Sequence, residues 1–427
     1  MNTKIYCAIL AVASLTSVSA QTSLNSPYSQ YGLGRLSDQS QGFSRGMNGA
    51  SLGLRQGNFI NTLNPASYSA VDSLTMLFDI GVSGQTTNFS EQTNGVTKRL
   101  NTKNASFDYF VSSFRLLPKV GMSFGFLPYS NVGYKYTVKN YIDRTNGTVT
   151  EVHNGDGGLH QAFIGAGWQA FKSFSMGVNL SYFWGTINRE ISTSSTTNIQ
   201  SLSRKYSASV RNYKLDFGVQ YEHQLDKANT LTFGATFGLG HNINADYTCL
   251  VINKTNTDTT SYVVDDALSL PMSYAVGAAW KHDNRLVVDA DVAMHAWGKL
   301  DYPGINSEGK FVAQSGILKN SYQVRLGADY VPNPQDHRKF YKRIHYKLGC
   351  GFTTPYYNIE GKNGPSEISV TAGLGIPLQS SYNNRSFLNV SAQWVRNSAT
   401  DMITENTFRL NLGITFNERW FAKWKIN

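Results

Sequence analysis

The chain has three cysteines, eleven prolines and a charged fraction of 15% in 427 residues, and each scarcity excludes something. Cys7 lies in an apolar N-terminal run, so Cys249 and Cys350 can form one disulfide at most, and a fold stapled by disulfides is ruled out. Both sit in or beside strand patterns, where a small half-buried side chain is the plainer explanation; whether they pair stays open. After Gln21 no stretch approaches the eighteen or so apolar residues of a membrane helix. The formal charge of +10 is not gathered into a basic run, because Lys and Arg are scattered through turns and strands. Nucleic acid is therefore not an expected partner, and contact with acidic lipid headgroups is the better meaning of that charge.

Catalytic signatures are missing as well. The sequence holds no zinc-binding helix motif, no phosphate loop and no Gly-x-Ser-x-Gly elbow. His160, His295 and His345 are separate strand residues, and Asp289 and Asp291 are the acids on the face of His295. An inward histidine beside strand carboxylates is more often hydrogen-bonded structure than a base. No catalytic residue, metal ligand or cofactor is expected, and the chain reads as a non-enzyme.

What is present begins with an address. Lys4 gives a short basic start, Ile5 to Leu15 is apolar but too short to span a bilayer, and Val18-Ser19-Ala20 precedes Gln21 as a cleavage site would. Residues 1–20 are expected to be a signal peptide. From Arg211 to Glu222 the chain then alternates: Tyr213, Leu215, Phe217, Val219 and Tyr221 against Lys214, Asp216, Gly218, Gln220 and Glu222. A period of two places those sets on opposite faces of a strand. Alternation recurs in about fourteen segments, among them 101–117, 119–139, 229–249, 260–282 and 406–416. Short turns alternate with long Asn-, Thr-, Ser- and Gly-rich joins, and the even count returns both termini to one side.

Mean hydropathy is −0.30, yet there are 24 Tyr, 23 Phe and 7 Trp. Low hydropathy with many aromatics is what strands with one lipid face and one lumen face produce, the aromatics supplying interfacial girdles. The expected fold is all-β, a transmembrane antiparallel barrel of about 14 strands over residues 74–416, integral to the outer membrane of a Gram-negative cell. Leu231, Phe233, Ala235, Phe237 and Leu239 form one lipid face; Tyr322, Val324, Leu326, Ala328 and Tyr330 a second; Phe408, Leu410, Leu412, Ile414 and Phe416 a third. Asp79, Lys214, Asp216, Asp289, Asp291, His295, Arg325, Asp329 and Arg409 then face the lumen, as a solvated and mutually paired interior.

Two segments fall outside the pattern. Residues 21–73 carry Gly32, Gly34, Gly42, Gly46, Gly49, Gly53 and Gly57 with little alternation, which is poor wall material. A barrel of this size leaves a wide channel unless filled, so this segment is expected to fold back as an N-terminal hatch, with Arg45 and Arg55 tied to Asp216, Asp289 and Asp291. Residues 417–427 interleave Trp420, Phe421 and Trp424 with Arg419, Lys423 and Lys425, which suits anchoring at the periplasmic interface or docking onto another envelope protein. Within the third strand, Leu127-Pro128-Tyr129 interrupts a clean alternation, and the proline removes a ladder donor. A bulge or break with a neighbouring strand is expected there.

Ser44-Arg45-Gly46-Met47-Asn48-Gly49-Ala50, followed by Asn64-Pro65-Ala66, resembles the N-terminal hatch signature of the FadL-type outer-membrane transporters of hydrophobic compounds. Leu270 to Gly277, Asp289-Ala290-Asp291, Trp297-Gly298-Lys299, Arg325 to Tyr330 and Gly373 to Pro377 extend the likeness over nearly the whole exported chain. The resemblance implies a fourteen-stranded barrel, a hatch bearing Arg45, Gly46, Met47, Gly49, Asn64, Pro65 and Ala66, and release of apolar ligands such as long-chain fatty acids through a wall gap in the third strand, at Leu127, Pro128 and Tyr129. Relatives of this fold also include an accessory barrel of a secretion machine. The partners expected are outer-membrane lipid, hydrophobic small molecules and, on the accessory reading, envelope proteins of a secretion or assembly complex.

Overall fold

The computed structural model describes residues 24–93, 96–142, 147–195, 201–253, 258–306, 308–336, 338–378 and 386–419. Fourteen antiparallel strands form a closed barrel. They are β1 (Thr75–Thr93), β2 (Val96–Leu117), β3 (Val120–Ile142), β4 (Gly147–Gln169), β5 (Phe174–Ser195), β6 (Leu202–Gln224), β7 (Asn229–Gly238), β8 (Ser273–His282), β9 (Leu286–His295), β10 (Ser321–Tyr330), β11 (His345–Thr353), β12 (Ser366–Leu378), β13 (Ser386–Ser398) and β14 (Thr404–Arg419). Closure is made by β1 on β14, from Thr75↔Arg419 to Ser90↔Thr404. A closed ladder is what lets strands cross lipid, since it leaves no main-chain edge for hydrocarbon to face.

The two faces follow the alternation. On β14, Phe408, Leu410, Leu412 and Phe416 are exposed while Glu405, Thr407, Asn411 and Thr415 between them are buried. The faces expected on β7 and β10 agree, with Phe233, Tyr322, Val324, Leu326 and Tyr330 outward. Short turns, such as Leu117 to Val120 and His282 to Leu286, gather at the end where β1 starts and β14 finishes. The long connections gather at the other end. There Tyr134, Phe183, Tyr247, Trp297, Tyr302 and Tyr356 join one buried core together with Leu33 of the N-terminal segment.

Two expected boundaries are corrected. The segments 229–249 and 260–282 are not two continuous wall strands: the wall stops at Gly238 and resumes at Ser273. Between them Tyr247–Asn253 and Asp258–Val264 form a hairpin that pairs with upper β6, from Tyr247↔Ala208 to Asn253↔Leu202. The reason is length, because β6 is bonded to β7 only over Asp216 to Gln224 and its remaining edge needs a partner. At the C-terminus the last strand does not end at Phe416 but runs through Asn417 and Glu418 to Arg419. Trp420, Phe421 and Trp424, like residues 1–20 where a signal peptide is expected, lie outside the described residues.

Among the described residues the wall has one interrupted seam. The β2–β3 ladder runs from Leu117↔Val120 only to Phe110↔Phe126. Just beyond, each strand slips register against its other neighbour: β2 bulges at Asp108, between the pairs Gly81↔Tyr109 and Val82↔Phe107, and β3 at Tyr129, between Pro128↔His160 and Ser130↔Leu159. Bulges add twist and bend a strand, and here they part the two strands. At the same level β4 and β5 carry Gly158 and Gly185 with φ of +146° and +154°, conformations that favour glycine.

Candidate functional site

Residues 24–73 contribute no wall strand, and their chain is buried without a break from Gln41 to Leu54. Irregular buried backbone must find hydrogen-bond partners outside itself. Inward side chains of the strands supply them. Asp291 Oδ2 accepts from the amides of Ser51 (2.7 Å) and Leu52 (3.1 Å), and Gln220 Nε2 donates to the carbonyls of Leu52 and Leu54, both at 3.0 Å. Tyr109 Oη accepts from the Gly42 amide at 2.6 Å and donates to Asp79 at 3.0 Å. Lys347 Nζ donates to the Phe43 carbonyl at 2.9 Å and stands 3.3 Å from the centroid of the Phe43 ring.

The residues singled out from the sequence fall into this network. Gly46 O accepts from Thr371 at 3.1 Å, and Gly49 O from Arg325 at 3.4 Å. Gly49 has φ +77°, and Met47 is fully buried. Asn64 Nδ2 donates to Leu52 O (3.0 Å) and to Val219 O of β6 (3.1 Å), while its Oδ1 accepts from Ala66 N (3.2 Å) and caps the turn Pro65–Ala70. The wall approaches by means of glycine. A Cβ on Gly121 would stand 1.9 Å from Tyr68 O, one on Gly218 2.2 Å from Asn64 Oδ1, and one on Gly349 2.3 Å from the Met47 carbonyl carbon.

Ion pairs join segment to wall with a consistent polarity, the cation on the segment and the acid on a strand. Arg35 reaches Glu367 (3.2 Å) and Glu405 (3.3 Å), Arg45 pairs with Asp108, and Arg55 stands 4.0 Å from Glu222. The expected partners of Arg45 and Arg55 are thus corrected. Asp216 is bonded to Lys214 of its own strand, Asp291 is taken by main-chain amides, and Asp289 is fully buried on the same face of β9. The β2 bulge is the reason for one of these: it turns Asp108 inward, out of the register its neighbours imply. Asp329 bonds His345 Nδ1 at 2.7 Å, and Arg409 Nε donates to Gln85 at 3.0 Å.

Between the segment and the long-loop end lies a cavity of about 440 Å³ with a mixed lining: Arg35, Asp38, Arg45, Lys214, Asp216, Arg325 and Arg409 stand beside Leu36, Leu63, Leu127, Phe163 and Phe237, and it reaches Phe107, Pro128 and Tyr129 at the seam. Burial pushes the Asp38 carboxyl up, but Arg45, Arg325 and the hydrogen bond from the Ser40 amide outweigh it and hold its pKa below the ordinary value. At Pro128 the ladder to β4 continues past the proline with the bulge at Tyr129, whereas the ladder to β2 has already ended at Phe126. Sequence reasoning missed Asp108, Gln220, Lys347, Glu367 and Glu405. For Asp108 a signal was present: in Phe107-Asp108-Tyr109-Phe110 the period of two slips by one, as a bulge requires.

Fourteen antiparallel strands, an N-terminal segment bonded to their inward faces and a seam beside the third strand define a barrel of the FadL and TodX type. The chain belongs to the BamG family, whose model matches residues 1–427. Among solved structures it is similar to the toluene transporter TodX of P. putida, at 15% identity over 91% of this chain and 99% of that one, with a TM-score of 0.58. It is similar also to a FadL homologue of Pseudomonas aeruginosa (11% identity, 90% and 99%, TM-score 0.59) and to the toluene transporter TbuX of Ralstonia pickettii (11%, 88% and 97%, 0.57). At these identities the likeness is one of fold. No curated protein matches the chain.

Proposed function

We propose that this chain is an integral barrel of the Gram-negative outer membrane, with residues 21–73 as its hatch, and that it serves as an accessory subunit of a secretion or protein-assembly complex. The observation that carries this reading is the cavity. Its lining is mixed, and ion pairs such as Arg45–Asp108 and Lys214–Asp216 stand among its leucine and phenylalanine side chains, so an apolar molecule seated there would have to desolvate those pairs. At the long-loop end the connections pack into one buried core, and residues 24–73 are bonded to strands around the wall. The barrel then works through its surfaces. Trp420, Phe421 and Trp424 act as interface anchors on this reading, beside a wall that contacts lipid.

A second reading keeps its own observation. The ladder ending at Phe126, next to Leu127, Pro128 and Tyr129, is where lateral release of a hydrophobic compound would occur, and the solved structures of like fold include toluene transporters. The two readings part in one experiment on a deletion strain complemented with tagged protein. An accessory subunit copurifies with defined envelope proteins in fixed ratio, and its loss leaves uptake of long-chain fatty acid and toluene unchanged. A barrel purified alone, together with an uptake defect that Pro128→Ala reproduces, overturns the accessory reading and establishes transport.

A further inference from the structure

The seam between β2 and β3 exposes main-chain groups in the wall and just beyond it. On β2, residues 96–109 have no main-chain ladder partner on the β3 side among the described residues. On β3 the corresponding edge is occupied in part by the chain's own N-terminal segment. Arg35 and Leu36 form a two-residue antiparallel ladder with Asn131 and Ser130. Around it the Ser37 amide donates to Tyr129 O (2.9 Å), the Ser26 amide to Gly133 O (2.9 Å) and Gln39 Nε2 to Pro128 O (2.8 Å). A stretch of non-wall chain is therefore doing what a strand would do, over a length far shorter than any neighbouring ladder.

We propose that this seam is a docking edge for an extended segment of a partner polypeptide, which adds as a strand to β3 and displaces residues 26–39. The inference rests on the accessory-barrel reading and deepens it by naming the surface and the kind of partner. Main-chain N–H and C=O groups select the occupant, since hydrocarbon cannot satisfy them and a peptide backbone does so in register. Charge narrows it further. Lys98, Arg99 and Lys103 on β2 and Lys135 and Lys139 on β3 are all exposed beyond the parting of the strands, so both edges are basic where the incoming chain would enter. Such residues also protect an unpaired edge from indiscriminate pairing. The segment it accepts is extended and acidic toward the long-loop end.

The test uses the purified full-length barrel in detergent and two fluorescent peptides of residues 26–39, one with three glutamates before Ser26 and one with three lysines. In a background of Cys249→Ala and Cys350→Ala, the pair Leu36→Cys and Ser130→Cys locks the resident segment onto β3 when oxidised. Peptide binding is expected to the reduced barrel and to be lost on oxidation, with resistance to heat in detergent the same in both states. The glutamate peptide should bind more tightly at low salt, the gap closing as salt rises. Equal binding in both redox states, equal binding of a scrambled peptide, or no binding to either state would overturn the proposal. A preference for the lysine peptide, or none at low salt, would overturn its acidic part and leave lipid phosphate as the counterion of the basic residues. These outcomes need no partner from the cell, so they stand apart from the copurification that decides the accessory reading.

Discussion

The two halves of the N-terminal segment are held by different means. From Gln41 to Val71 it is packed backbone to wall, with strand glycines allowing the approach and inward Asp291, Gln220, Tyr109 and Lys347 bonding its peptide groups. From Leu24 to Ser40 it is held by a two-residue ladder, by long side chains such as Arg35, and by tyrosines such as Tyr28, whose hydroxyl reaches Ile403 O. Close main-chain packing resists displacement because few groups in it can move alone. Long-side-chain contacts around a cavity can be exchanged for others. On the docking proposal the lower half is accordingly the anchor, and the upper half is the part that is displaced.

That contrast can be broken first at a glycine. Gly121→Val places its Cβ against the Tyr68 carbonyl, where backbone must shift, and should cost about 3 kcal/mol or more by overpacking. Loss of heat resistance in detergent and new protease cleavage before Ser73 would record it; an unchanged barrel would mean that the lower half is not an anchor. In the upper half, Arg35→Met leaves Glu405 and Glu367 without their cation. With Arg35 partly exposed, a loss of about 2 kcal/mol is expected, confined to protection of residues 24–39 in hydrogen exchange. Unfolding of the whole barrel in that variant would erase the distinction between the halves.

A smaller effect should come from Asp38. Its pKa is depressed in the folded state, so the stability it contributes is complete above the ordinary 3.8 and is lost as pH falls through its lower folded value. Asp38→Asn should thus be less stable than the parent at neutral pH, with the two converging in strong acid; parallel curves would show that Arg45 and Arg325 do not act on this carboxylate. The smallest effect is expected from deleting residues 420–427. As an interface anchor the tail should cost little heat resistance and release no bound protein. Selective loss of a copurifying protein would instead make Trp420, Phe421 and Trp424 a small hot spot.

The wall was legible in the sequence because lipid on one side and a packed interior on the other impose a period of two, as in Tyr213 to Glu222. The segment 21–73 was legible as something other than wall from its glycines. What escaped was pairing at a distance. Nothing local says that Asp108 rather than Asp216 meets Arg45, since the choice depends on a bulge that turns one side chain inward. The hairpin at 247–264 was hidden for a related reason: its strands alternate as wall strands do, and only the surplus length of β6 shows where they belong. At Pro128 the proline leaves the ladder to β4 intact, and the ladder that stops, at Phe126, is the one to β2.

The Ser26 hydroxyl meets Glu405 across a separation of 379 residues. The first described residues therefore cannot complete their contacts until the last strand is in place, and β1 cannot close on β14 without enclosing them. Contacts so far apart carry a large loop-closure entropy and arrive late in folding. Closing the wall and completing the contacts of this segment are therefore steps of a single event.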